Sequence, residues 1–296
     1  MEVLAIFGPT AVGKTAVAIE VAKLLRQREE VPAAVNCDSI QVYEGLETLS
    51  GAAGAAERAW LEHRLLSFVP VDGEFSAGRY ANLAHAEIDQ LLAEDRRPIV
   101  VGGTGLYLRA ALADLDLRPP VPEEIRAAVE REIAERGPKE LHAELDPDLA
   151  ETVHPSDRKR VARYTELQRA GIEPHLSGEG LWTERLRQPT ALFGLEVDRD
   201  ELDTRIDERV ERMVAAGAIE EVRAADAAGA SRTARSAIGF EELLAGDVDA
   251  MKAAQRRFAR RQLTWMRKMP GALVIDRSGR EDAEVAEDIV AGLAPH

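Results

Sequence analysis

Short apolar runs alternate with amphipathic stretches over the first 115 residues, and this alternation predicts a parallel sheet flanked by helices. Val3–Phe7, Ala33–Cys37 and Pro98–Val101 read as buried strands. Lys14–Gln27, Tyr80–Leu92 and Leu106–Leu112 carry apolar residues at helical spacing. Between the second strand and the long helix, Glu44–Gly78 is rich in Gly, Ala and Ser and reads as loops with one helical piece near Ala56–Leu65.

The run Arg118-Pro119-Pro120-Val121-Pro122 then breaks the pattern, because proline has no N–H to continue a helix. Beyond it Glu123–Arg136, Pro138–Leu145 and Asp157–Ala170 are helical in pattern, with no strand among them. The expected organisation is an α/β core over 1–118, an all-helical insertion over 119–187 and completion of the core over 188–296. That last part holds a strand at Thr190–Glu196, long amphipathic helices at Asp200–Ala225 and Asp247–Lys268, a strand at Ala272–Asp276 and a final helix.

Composition narrows the classes. With 45% hydrophobic residues, the 296-residue chain is long enough for a large domain and a smaller one. No apolar run approaches the ~20 residues that cross a bilayer, so no membrane association is expected. Cys37 is the single cysteine, and Val3–Phe7 is not preceded by a charged-then-apolar leader; both point to the cytoplasm. A net charge of −15 disfavours a general nucleic-acid coat but not a local basic cleft. Arg158, Lys159, Arg160 and Arg163 form one candidate cluster, and Arg256, Arg257, Arg260, Arg261, Arg267 and Lys268 another, each alternatively a solvated helix face.

Gly8-Pro9-Thr10-Ala11-Val12-Gly13-Lys14-Thr15 fits G-x-x-x-x-G-K-[ST] between a strand and a helix. Such a loop turns successive N–H groups toward phosphate oxygens at the positive end of the helix dipole. Lys14 supplies a mobile cation, and the Thr15 hydroxyl is a Mg²⁺ ligand. Nucleotide-hydrolysing and kinase relatives of this motif place an acid after another strand, yet Pro98–Val101 runs into Gly102-Gly103-Thr104-Gly105. The bound diphosphate therefore reads as a leaving group. Asp38, just past the second strand, sits where open parallel sheets bind ligands; it is either a general base or a turn cap. Cys37 reads as a core residue.

GPTAVGKT, DSIQVY, FSAGRY, IVVGGTGLYLRAAL, VHPSDRKRVAR, SAIGFEELL and FARRQLTWMRK, in this order over nearly the whole chain, resemble the tRNA dimethylallyltransferases. The resemblance implies a P-loop NTPase-like fold and transfer of a dimethylallyl group from dimethylallyl diphosphate to the exocyclic N6 of the adenine beside the tRNA anticodon. It implies Asp38 as the general base and Thr104 as a hydrogen-bonding group at the reacting centre. Gly8, Thr10, Ala11, Val12, Gly13, Lys14 and Thr15 match the diphosphate site, with Mg²⁺ on Thr15 and a further contact from Arg205 or Arg209. Asp38, Ser39, Ile40, Gln41 and Thr104 match the part that receives the flipped-out base. Arg126, Lys159, Arg160, Arg163 and the segment Ser236–Phe240 match RNA-contacting regions. The expected partners are tRNA and dimethylallyl diphosphate, and the expected state is a monomer.

Two stretches depart from the family pattern. Glu44–Gly51 carries acids where basic residues are usual, and Val161–Leu167 is altered after the HPSDRKR run. Three other readings stay open: an adenylate isopentenyltransferase acting on free nucleotide, a P-loop small-molecule kinase, and a non-catalytic RNA-binding relative.

Overall fold

The computed structural model describes residues 1–115, 117, 121–173 and 184–293. The chain divides into two compact units, Met1–Asp114 with Trp182–His296, and Leu115–Leu181. The proline run predicted to break the pattern lies partly outside the described residues.

The larger unit is built on six strands: β1 (Val3–Phe7), β2 (Pro32–Asn36), β3 (His63–Arg64), β4 (Arg97–Gly102), β5 (Thr190–Glu196) and β6 (Leu273–Asp276). Their order is β3-β2-β4-β1-β5-β6, and every pairing is parallel. β1, β2 and β4 are buried throughout, because a parallel sheet is covered by helices on both faces and so selects unbroken apolar runs. The helix Lys14–Gln27 turns Val17, Val21 and Leu25 onto the sheet, where they share a core with Leu4, Ile6, Phe193 and with Val285 and Ile289 of the helix Asp282–Ala291. β6, at the sheet's edge, leaves Leu273 and Val274 exposed.

In the smaller unit the helices Glu123–Glu135, Pro138–Ala143, Pro147–Ala150 and Arg158–Arg169 enclose Val129, Ile133, Leu141, Leu149 and Val161. Asp157 caps the last of these helices by accepting from the Arg160 N–H. No strand occurs among the described residues of this unit.

Two local expectations need correction. The stretch expected to be helical near Ala56–Leu65 is a helix only over Ala55–Trp60. Glu62 then accepts from the Ala34 N–H at 2.8 Å, and His63–Arg64 pair with β2, so sheet pairing overrides the local helical preference. The long helix expected over Asp200–Ala225 is two, Arg199–Ala215 and Ala218–Ala227, broken where Gly217 takes a left-handed φ of 95°. Among the described residues, no helix is long and apolar enough to cross a membrane.

Candidate active site

The strand order sets the carboxyl ends of β2, β4 and β1 side by side, and the segments that leave these three ends form the site. Gly8–Thr15 leaves β1 and turns through Ala11, itself at a positive φ of 63°, into the helix that begins at Lys14. Lys14 Nζ folds back and donates to the carbonyls of Gly8, at 3.1 Å, and Pro9, at 2.8 Å. Burial and the neighbouring Arg209 guanidinium lower its pKa to about 8, against the opposing pull of Asp38. Burial likewise lowers the Arg209 pKa, and Asp38 raises it. Lys14, Arg209 and Asp38 therefore lie within one electrostatic neighbourhood.

The helix Arg199–Ala215 distinguishes the two arginines offered by the sequence. Arg205 is held one turn back by Glu201, which it meets at 2.6 Å. Arg209 reaches the site and donates to the Ser50 carbonyl at 2.9 Å. Gln41 donates to the Ser50 and Gly51 carbonyls at 3.3 and 3.2 Å. Glu221 accepts from the Thr48 and Leu49 N–H groups at 2.9 and 3.0 Å. The departing segment Glu44–Gly51 thus contains one short helical turn, Glu47–Ser50, held from both ends.

Past β2, Asp38 is both a turn former and a site residue. Its Oδ1 accepts from the Ile40 N–H at 2.9 Å, and its own N–H donates to Asn36 Oδ1 at 3.1 Å. Asp38 Oδ2 has no hydrogen-bond donor among the described residues. Past β4, Thr104 precedes the helix Gly105–Leu112, and its Oγ1 accepts from the Ser39 N–H at 3.3 Å. Cys37 is fully buried, with its thiol pKa pushed up by burial and by Asp38, as suits an inert core residue.

Two residues outside the predicted set support the loop. Gln262, on the helix Val248–Arg267, donates from Nε2 to the Gly103 carbonyl at 2.8 Å and accepts at Oε1 from the Thr10 N–H at 2.8 Å. It thereby ties the phosphate loop to the loop that carries Thr104. A Cβ on Gly103 would lie 2.2 Å from Gln262, and one on Gly105 would lie 2.3 Å from the Trp265 ring. The GGTG and RRQLTW stretches are thus two halves of one packing contact. Arg277, just after β6, donates to the Val12 carbonyl, and no local pattern in the sequence marks it.

The expected RNA-contacting residues divide between the two units, with Arg126, Lys159, Arg160 and Arg163 in the smaller and Ser236–Phe240 in the larger. Lys159 and Arg160 are exposed on the helix Arg158–Arg169. Arg126 pairs with Glu123 and Arg163 with Glu166, each three residues away. On the helix Val248–Arg267, Arg256 pairs with Asp207, whereas Arg257, Arg260 and Arg261 are exposed. Ser236 and Phe240 flank the turn that enters the helix Phe240–Leu244.

The donor set bears on a metal. Among the described residues no three His, Cys, Asp or Glu side chains are grouped to hold an ion. The Thr15 hydroxyl lies in the first turn of its helix and hydrogen-bonds no other described residue. Such a set fits a Mg²⁺ that takes most of its ligands from diphosphate and water.

The IPP transferase family model matches residues 41–269. The tRNA dimethylallyltransferase of Rhodospirillum centenum is 42% identical over 285 residues, covering 90% of this chain and 88% of that protein. That of Thermobifida fusca is 37% identical over 289 residues, with 90% and 88% covered. The full-length tRNA isopentenylpyrophosphate transferase of Bacillus halodurans superposes with a TM-score of 0.70 at 29% identity, over 98% of this chain and 96% of that one. A eukaryotic dimethylallyltransferase acting on tRNA shares the fold, with a TM-score of 0.75 at 23% identity over 98% of this chain and 77% of its own.

Proposed function

This chain belongs to the IPP transferase family, and on that premise we propose that it transfers the dimethylallyl group of dimethylallyl diphosphate to N6 of the adenine beside a tRNA anticodon. The observation that carries the reading is the placement of Asp38 beside Lys14 and Arg209, while β4 ends in Gly102 with no acid after it. A kinase needs a metal-binding acid there; a prenyltransferase needs a base facing a diphosphate that leaves.

The bond from the allylic carbon to the diphosphate oxygen breaks, and the bond from that carbon to N6 forms. N6 is a weak nucleophile because its lone pair is delocalised into the ring, so most of the driving force comes from ionising the allylic bond. Lys14, Arg209 and the N–H groups of Gly13, Lys14 and Thr15 at the start of the helix stabilise the charge that collects on the leaving diphosphate. The N6 proton passes to Asp38 Oδ2, the oxygen not engaged by the Ile40 N–H. Thr104, fixed by Ser39, orients the amine. Mg²⁺ bound through Thr15 would add positive charge on the diphosphate. The adenine enters by leaving its stack in the anticodon loop, at a cost of a few kcal/mol, and Ser39, Ile40 and Gln41 line the path that receives it. Lys159 and Arg160 meet phosphates of the RNA, with Arg126 and Arg163 exchanging their glutamate partners for phosphate.

The test is mass spectrometry of nucleosides from tRNA incubated with the protein, dimethylallyl diphosphate and Mg²⁺. Isopentenyladenosine with equimolar diphosphate supports the reading; a prenylated AMP formed equally fast favours the adenylate-modifying alternative.

A further inference from the structure

Arg277 lies 265 positions from Val12 and is 4% exposed, yet its side chain reaches the phosphate loop. Its backbone N–H donates to the Glu196 carbonyl at 3.0 Å, which anchors it at the carboxyl end of β5. One guanidinium nitrogen, Nη2, meets Asp282 Oδ1 at 2.9 Å; the other, Nη1, donates to the Val12 carbonyl. Nη1 also fills the space a side chain on the next residue would need, since a Cβ on Gly13 would lie 2.0 Å from it. Gly13 itself stands at a φ of 90°, so both backbone conformation and contact reserve the position for glycine.

The peptide joining Val12 to Gly13 is planar and trans, so its N–H points opposite to its carbonyl. Because Arg277 fixes the carbonyl on one side, the Gly13 N–H is aimed to the other side, into the loop. That N–H has no acceptor among the described residues, and it stands one residue before Lys14, where an anion at the helix N-terminus is received. We propose that Arg277 is a positioning residue of the diphosphate site: its guanidinium, steadied by Asp282, holds the Val12–Gly13 peptide so that the Gly13 N–H faces the diphosphate. The guanidinium is turned to Asp282 and to the Val12 carbonyl, so its action on the diphosphate is through orientation. This role rests on the diphosphate reading of Gly8–Thr15 given above.

The experiment compares Mg²⁺-pyrophosphate binding by calorimetry in the wild type, Arg277→Gln, Arg277→Lys, Asp282→Asn and Lys14→Ala. The expected loss for Arg277→Gln is roughly tenfold in pyrophosphate affinity, as for a charge-assisted hydrogen bond to an oriented group. The KM for dimethylallyl diphosphate should rise in parallel, and the KM for tRNA should stay within about twofold. Arg277→Lys keeps a donor to Val12 and should recover part of the loss. Asp282→Asn, which frees the guanidinium without removing it, should lose affinity in the same direction and guards against a misfolded Arg277→Gln. If Lys14→Ala weakens pyrophosphate binding while folded Arg277→Gln and Asp282→Asn bind as the wild type, the positioning role is overturned. If Lys14→Ala itself binds pyrophosphate unchanged, the phosphate-loop reading fails and takes this proposal with it.

Discussion

Ser39 and Thr104 meet across the ends of two neighbouring strands, with the Ser39 N–H donating to Thr104 Oγ1 at 3.3 Å and the two hydroxyl oxygens 3.5 Å apart. This contact brings the residue that follows Asp38 against the loop that follows β4. It makes the placement of the carboxylate and of the threonine hydroxyl interdependent.

Asp38→Asn keeps an oxygen for the Ile40 N–H but removes the carboxylate. The single-turnover rate of transfer should fall ~10²–10⁴-fold, with the melting temperature nearly unchanged. A rate near that of the wild type would remove Asp38 from proton transfer.

Arg209→Ala should weaken pyrophosphate inhibition by roughly ten- to a hundredfold, the loss of a charge-assisted contact. Arg205→Ala should change it little, because Arg205 is committed to Glu201. Equal effects from the two variants would contradict this division of the helix.

Lys14 has a pKa lowered to about 8, so above that pH it increasingly loses the proton with which it attracts diphosphate. Binding should therefore weaken as pH rises through about 8 and should take up a proton there, which calorimetry in buffers of different ionisation enthalpy measures. The limiting slope is about tenfold per pH unit. Lys14→Ala should bind weakly at every pH and lose this slope; a slope that persists in Lys14→Ala assigns the titration elsewhere.

Affinity for an anticodon stem-loop should fall with rising salt, and changing Lys159 and Arg160 together to alanine should flatten the dependence by up to about two phosphate contacts. Filter binding across a salt series measures the slope. An unchanged slope would move the RNA contact to another surface, such as that of Arg257, Arg260 and Arg261.

The sequence made the phosphate loop and its flanks legible because their signals are local. Val3–Phe7 is a strand and Lys14–Gln27 a helix over the same residues in pattern and structure. β3 escaped because its two residues are a strand only through their partner, β2. The break at Gly217 escaped because apolar spacing continues across it, and one glycine is a weak signal inside a long amphipathic run. At the site, the choice between Arg205 and Arg209 had a local clue in Glu201, one turn before Arg205. Arg277 had none, since its role arises from contact with a loop made at the other end of the chain. Gln262 sat within a recognisable stretch, but what it joins becomes visible only when Thr10 and Gly103 stand on either side of it.

The central position of β1 bears on how the protein is made. Val3 pairs with Thr190, so one side of the earliest strand stays without its neighbour until β5 has left the ribosome. At ordinary translation speeds that interval is roughly 10–40 s. Throughout it, Val3–Phe7 offers an apolar strand with unpaired backbone groups, the kind of edge to which other chains add. Even then the phosphate loop lacks the Gln262 and Arg277 contacts, which come later still in synthesis. The growing chain therefore carries a recognisable nucleotide-type loop long before that loop is braced, and the braces arrive only with the helix Val248–Arg267 and with the residue that follows β6.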